Sequence, residues 1–210
     1  MNYLAFALRE KRMLTFGLSF TFIASFGQTF LISLFVPHFL EDFQLSNAAF
    51  GTLYSLATLG SAATLPWLGG GIDRLPLKRY SYLVAGGLLA ASLLLALSWH
   101  VAVFFAALLL LRLTGQGLSG HTAQTAMARQ FTVRRGKALS IVGLGYPLGE
   151  AFFPMLIAGL LTILGWREIW LIFAGVIAFV FIPFLAVVLK RPAEQRNGQR
   201  TGKRPGKRVQ

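Results

Sequence analysis

The stretch Gly117-Leu118-Ser119-Gly120-His121 sets a hydroxyl nucleophile among glycines with an imidazole close behind. Such a group would suit acyl transfer, in which a base takes the serine proton. Upstream stands Arg112, a fixed cation suited to an anionic partner, with Gln116 between. Arg112, Gln116 and Ser119 repeat at i, i+4, i+7 and so share one helical face. His121 lies about 200° round a helix from Ser119 and cannot be its base. Ser119 then reads as a packing residue or a cavity-wall hydroxyl. His121 joins Thr114 and Thr125 on the opposite stripe, as hydrogen-bonded packing or as a proton relay.

The elements that carry these residues are unusually apolar. Of 210 residues, 55% are hydrophobic and only 13% charged, about half the share of a soluble domain. Residues 13–40, 43–72, 80–111 and 169–189 hold no charge at all. Spans of about 20 apolar residues cross a hydrocarbon core of about 30 Å. The expected fold is an all-α membrane protein with six transmembrane helices near 14–37, 48–70, 80–99, 101–127, 138–163 and 169–189. Residues 1–190 would form this bundle and 191–210 a disordered basic tail. A β-barrel would alternate apolar and polar residues, and no such pattern appears.

Charge placement orients the bundle. The amino terminus, loop 2–3, loop 4–5 and the tail hold 18 of the 20 Lys and Arg residues. The opposite loops hold only Arg167. The positive-inside rule therefore puts both termini in the cytoplasm. This topology accounts for the net charge of +13 without nucleic acid as a partner, and the lipid bilayer is the expected surroundings.

The helices differ in polarity. Helix one carries Thr21, Ser25 and Gln28 on one face, and helix four carries Arg112, Gln116 and Ser119, so these two are expected to line a cavity. Helices two and five are rich in small residues, which suits close packing. Helices three and six are almost wholly apolar and are expected to face lipid. Each half runs polar, small, apolar, which reads as a 3+3 inverted repeat. A Gly-Gln pair recurs at 27–28 and 115–116. Arg112 and Glu150 fall near the middles of consecutive antiparallel helices, and an unpaired charge there is costly, so the two are expected to interact.

Loop 2–3 reads GGGIDRLPLKRY, from Gly69 to Tyr80. It resembles the G-x-L-a-D-R-x-G-R-K signature of the major facilitator superfamily. Gly69, Asp73, Arg74, Lys78 and Arg79 match in kind, while Pro76 stands where the family has Gly and Leu77 fills a basic position. Arg112, Gln116, Gly117 and Gly120 resemble the family's helix-four signature. GLGYPLGE resembles its helix-five signature through Gly145, Pro147 and Gly149, with Glu150 in place of a glycine. The resemblance implies that loop 2–3 latches the cytoplasmic side, with Asp73 pairing Arg129. The polar faces of helices one and four, together with Glu150, give the expected substrate and proton pathway through Ser25, Gln28, Arg112, Gln116, Ser119, His121 and Glu150.

The Gly-x-Ser-Gly run also resembles the rhomboid proteases, which need a helix-six histidine that this chain lacks. No zinc spacing or phosphate loop occurs, so no metal or other cofactor is expected, and the chain is not expected to be an enzyme. The expected function is secondary transport of a small molecule, an organic anion or drug-like metabolite, with or without proton coupling, in a plasma (bacterial inner) membrane. The chain looks like an amino-terminal six-helix half that joins a second half or another copy. The alternative is a truncated or non-transporting membrane protein that acts as an interaction module. The chain has no cysteine, so single-cysteine variants report topology cleanly. Ser46→Cys should label from outside and Thr132→Cys only after permeabilisation; the reverse pattern would sink the orientation.

Overall fold

The computed structural model describes residues 3–190, and every regular element among them is helical. A short helix, Tyr3–Arg9, leads into α1, Lys11–Ser33, and a further turn-rich helix, Val36–Asp42, extends it. Then come α2, Asn47–Gly69; α3, Leu77–Ala96; α4, Val101–Gln130; α5, Arg135–Leu160; and α6, Trp166–Val188. The tail expected at 191–210 lies outside the described residues.

Five of these helices are long and apolar enough to cross a membrane: α1, α3, α4, α5 and α6. The expected second crossing, α2, falls below that apolarity because Gly, Ser, Thr and Asn dilute its leucines and alanines. It is still a continuous, uncharged helix of 23 residues. At 1.5 Å per residue it reaches about 34 Å, enough for a hydrocarbon core. Ser46 caps it by accepting from the Ala49 amide at 3.1 Å. The connection to α3 is set by Pro76, which holds Leu75 extended (φ −107°, ψ 148°) and ends the short helix Gly71–Arg74.

Two crossings are irregular at the same place. Within α1 the helix tightens to a 3₁₀ turn over Ala24–Gly27, and Gln28 is extended (φ −79°, ψ 149°). Within α4 the bonding widens to i→i+5 over Arg112–Ser119, a π-helix. These segments pack on each other. A Cβ on Gly115 would lie 2.6 Å from the Gly27 nitrogen and 2.7 Å from its Cα, and a Cβ on Gly27 would strike the Gln116 nitrogen and the Leu111 carbonyl. The two Gly-Gln pairs therefore meet backbone to backbone, an approach only glycine permits.

α4 is the hub, packed against α1, α2, α3 and α5, while α6 lies on α3 and α1. A phenylalanine ladder fills the join between α1 and α6. Phe20 meets Phe181 edge-on at 5.2 Å, Phe26 stacks on Phe173 at 4.4 Å, and Phe39 meets Trp166 edge-on at 4.9 Å. Apolar α3 is open on one side only, at Leu83 and Leu93. Its other side is wedged between α4 and α6 with Val84, Leu88, Ala91 and Leu95 buried, and even Ser81 and Ser92 are sealed. The small residues of α5 serve α1: Gly145 and Gly149 lie against Thr21 and Ser25, and Thr21 Oγ1 donates to the Val142 carbonyl at 2.6 Å.

Gly115→Val should lower stability in detergent by about 3 kcal/mol or more, because backbone opposes the new side chain and cannot yield. Gly86→Ala, which meets no atom within 4 Å, should leave the unfolding midpoint unchanged or slightly raised. Equal midpoints for the two variants would refute the crossing.

Candidate functional site

The break in α1 frees the Gly27 carbonyl, and α4 answers it. Arg112 Nη1 donates to that carbonyl at 2.9 Å and reaches Thr29 Oγ1 at 3.3 Å. The guanidinium lies 5.0 Å from the centre of the Tyr54 ring, a cation–π contact from α2. Tyr54 in turn donates to Thr29 Oγ1 at 2.8 Å. Arg112 is 6% exposed, and its Nε is buried with no hydrogen-bond partner. One arginine thus ties α1, α2 and α4 at the irregular crossing.

Arg112 also forms the inner end of a cavity of about 400 Å³. Thr58 and Ser61 of α2, Gln116, His121 and Gln124 of α4, and Tyr146 of α5 supply its polar lining. A second, adjoining hollow shares His121 and Gln124 and runs on to Arg129 and Arg135. The path therefore carries donors and cations from membrane depth to one end of the bundle.

Among the residues singled out in the sequence, Arg112, Gln116 and His121 line this cavity. Ser119 does not: it is fully buried, and its hydroxyl donates to the Thr114 carbonyl at 2.7 Å, stitching the π-helix. His121 points away from it, with Nε2 3.2 Å from the Gly69 carbonyl. The helix-one stripe does not line the cavity either. Thr21 and Ser25 are buried against α5, and Gln28 sits half-buried at the break. The cavity is framed by α2 and α4 with Tyr146, not by α1 and α4. Glu150 and Pro147 are exposed on α5. Among the described residues the ion pairs join Arg9 to Glu10, Asp73 to Arg129 and Asp42 to Arg167; none joins Arg112 to Glu150. The expected pair fails because Glu150 stands on the open side of α5, whereas Arg112 turns inward to α1.

Tyr54, Thr58, Ser61, Gln124 and Tyr146 were not singled out by sequence. Arg112, Gln116, Gly120 and Gln124 do recur at every fourth position, a row that drifts off one face of an α-helix but stays in line where the turn widens.

Loop 2–3 closes on α4. Asp73 pairs with Arg129, whose Nη1 also donates to the Ile72 carbonyl at 3.0 Å. Gly69 lies against His121, and Tyr80 donates to the Leu68 carbonyl at 3.1 Å. Arg74, Lys78 and Arg79 are exposed, Lys78 lying 6.0 Å from the Tyr82 ring centre.

At the opposite end sits a cluster that loop sequences alone do not reveal. Arg167 is held between Trp99 and Trp166, 4.2 Å from each ring centre, and donates to the Ser98 carbonyl at 2.9 Å. It pairs with Asp42, which also accepts from Trp166 Nε1 at 2.8 Å. Partial burial pushes the Asp42 carboxyl upward, but the hydrogen bonds from Trp166 and Arg167 outweigh it and leave the group below its usual value. Three connections, 1–2, 3–4 and 5–6, are thereby tied together.

The comparisons with known proteins agree with this architecture. No curated protein and no solved structure matches the chain. The family model described as Major Facilitator Superfamily matches residues 18–209, nearly the whole length. This helical protein, with its apolar crossings, buried arginine and latched loop 2–3, belongs to the major facilitator superfamily of membrane transporters.

Proposed function

We propose that this chain is one six-helix bundle of a secondary transporter that moves a small organic anion through the cavity beside Arg112. α2 serves as the sixth crossing, the two halves of the bundle are inverted repeats, and both termini lie in the cytoplasm of a cell whose inner membrane holds the protein. The observation that carries the reading is Arg112: a buried cation at membrane depth, with a carbonyl, a hydroxyl and a ring around it but no carboxylate. A charge at the bilayer centre is unfavourable by about 2.5 to 3.5 kcal/mol, so an anionic ligand in the adjoining cavity lowers the energy of the site. Gln116, Gln124, Tyr146 and His121 offer the polar groups that would orient it. Asp73 with Arg129 is the cytoplasmic latch, and His121, against loop 2–3, is the group placed to couple a proton to its opening.

Glu150 supports a second bundle as partner, either a second half or another copy. An exposed carboxylate in a membrane crossing is disfavoured against lipid and belongs beside water or protein. The reading of the chain as a non-transporting interaction module shares that partner and differs in having no ligand.

Arg112→Ala should lower stability by about 1.5 to 3 kcal/mol, the range for hydrogen bonds to a charged group. Adding Glu150→Gln should give no relief, the two effects summing within about 0.5 kcal/mol, as measured by unfolding in detergent. Relief in the double variant would restore the direct pair.

Transport itself is tested with small mono- and dicarboxylates and their neutral amides. The purified chain should bind the anions and not the amides, with affinity at least about tenfold weaker in Arg112→Gln, a loss near that of one charge-assisted hydrogen bond. Demonstrably monomeric chain in vesicles should show no saturable uptake. Binding of neither class would favour the interaction module, and uptake by the monomer would defeat the half-transporter reading.

A further inference from the structure

A third cavity, of about 370 Å³, opens on the outside of the bundle, where the end of α2 meets α3 and α4. Trp67, Leu75, Leu83, Val84, Gly87 and Leu110 are among its walls, which are almost wholly apolar. Its mouth is exposed: Trp67 is 79% and Leu83 64% accessible. Gly87 gives it depth, since a Cβ there would lie 2.7 Å from the Thr114 methyl and close the floor. One end therefore touches the π-helix that carries Arg112, and the other reaches loop 2–3 through Leu75 and Gly71.

The loop end is basic. Arg74 precedes Leu75 and Arg79 precedes Tyr80, both wall residues, and both cations are exposed. An apolar groove with cations beside one end matches a molecule with a hydrocarbon tail and an anionic head. Loop 2–3 lies at the end of two membrane helices, where lipid headgroups lie.

We infer that this groove is a binding site for one anionic phospholipid, its acyl chain seated between α2, α3 and α4 and its phosphate held by Arg74 and Arg79. The site is separate from the polar cavity, on the far side of α4, and does not depend on the transport reading. The lipid would brace loop 2–3 against α3, beside the Tyr80 hydrogen bond to Leu68 and next to Asp73.

Trp67 is a reporter built into the mouth. In nanodiscs of phosphatidylcholine, stepwise replacement by phosphatidylglycerol brominated along its acyl chain should quench Trp67 emission. Brominated phosphatidylcholine should do so about fivefold less effectively, the factor expected from the attraction of roughly one basic residue. The preference should vanish in the Trp67→Phe protein, which keeps Trp99, Trp166 and Trp170, and should collapse to parity in Arg74→Gln/Arg79→Gln. Should that double variant fold poorly, raising the salt concentration around the unaltered chain must weaken the preference in the same way. Equal quenching by both lipids, or a preference that persists without Trp67, would overturn the site.

Discussion

A helix that breaks inside a bilayer leaves carbonyls that water cannot satisfy. α1 breaks at Gly27–Gln28, and the side chain of Arg112 takes up the freed carbonyl. Much of the bundle's interior follows from that bond. Arg112 reaches Gly27 only because α4 approaches α1 without intervening side chains, which requires Gly27 and Gly115 at the crossing. The same approach draws in Tyr54 from α2, whose ring and hydroxyl complete the surroundings of the guanidinium. The buried Nε of the arginine has no partner there, so that donor adds a desolvation cost that the other contacts offset.

The two ends of the bundle are held differently. On the loop 2–3 side, Asp73 and Arg129 are both well exposed, and such pairs contribute about 0 to 1 kcal/mol. That contact can open and close at small cost. At the other end, Arg167 is mostly covered, stacked between two indoles and tied to three connections. The cluster joins three loops of the same bundle and so stiffens it as one body. One end is thus firmly fixed and the other is held by an exposed pair, the asymmetry that the proposed transport cycle would use.

Much of this was legible in the chain. Charge-free stretches mark the crossings because membranes exclude charge, and the spacing of Asp73 from Arg129 across two loops is visible once helices are assigned. The limits were physical. α2 carries too many small polar residues for an apolarity scale, although its 23 uncharged residues are long enough to span a hydrocarbon core. Thr21 and Ser25 looked like cavity residues because a polar stripe in a membrane must face something other than lipid; here that something is the bare backbone at Gly145 and Gly149. Arg112 and Glu150 share a depth, but depth does not fix azimuth, and Glu150 points outward. The Trp99–Arg167–Trp166 stack joins residues that no local pattern connects.

The π-helix in α4 works as a phase shifter. In an unbroken α-helix, Arg112 and Gln124 would stand roughly 120° apart around the axis, and one of them would miss the cavity. Widening the turns over Arg112–Ser119 unwinds that angle, so both end on the same wall, while Ser119 is carried off it into the packing. The polar path owes its straightness to this stretch of relaxed winding. The angular register of the wall on the loop 2–3 side is thus set within the eight residues of that segment, from Arg112 to Ser119.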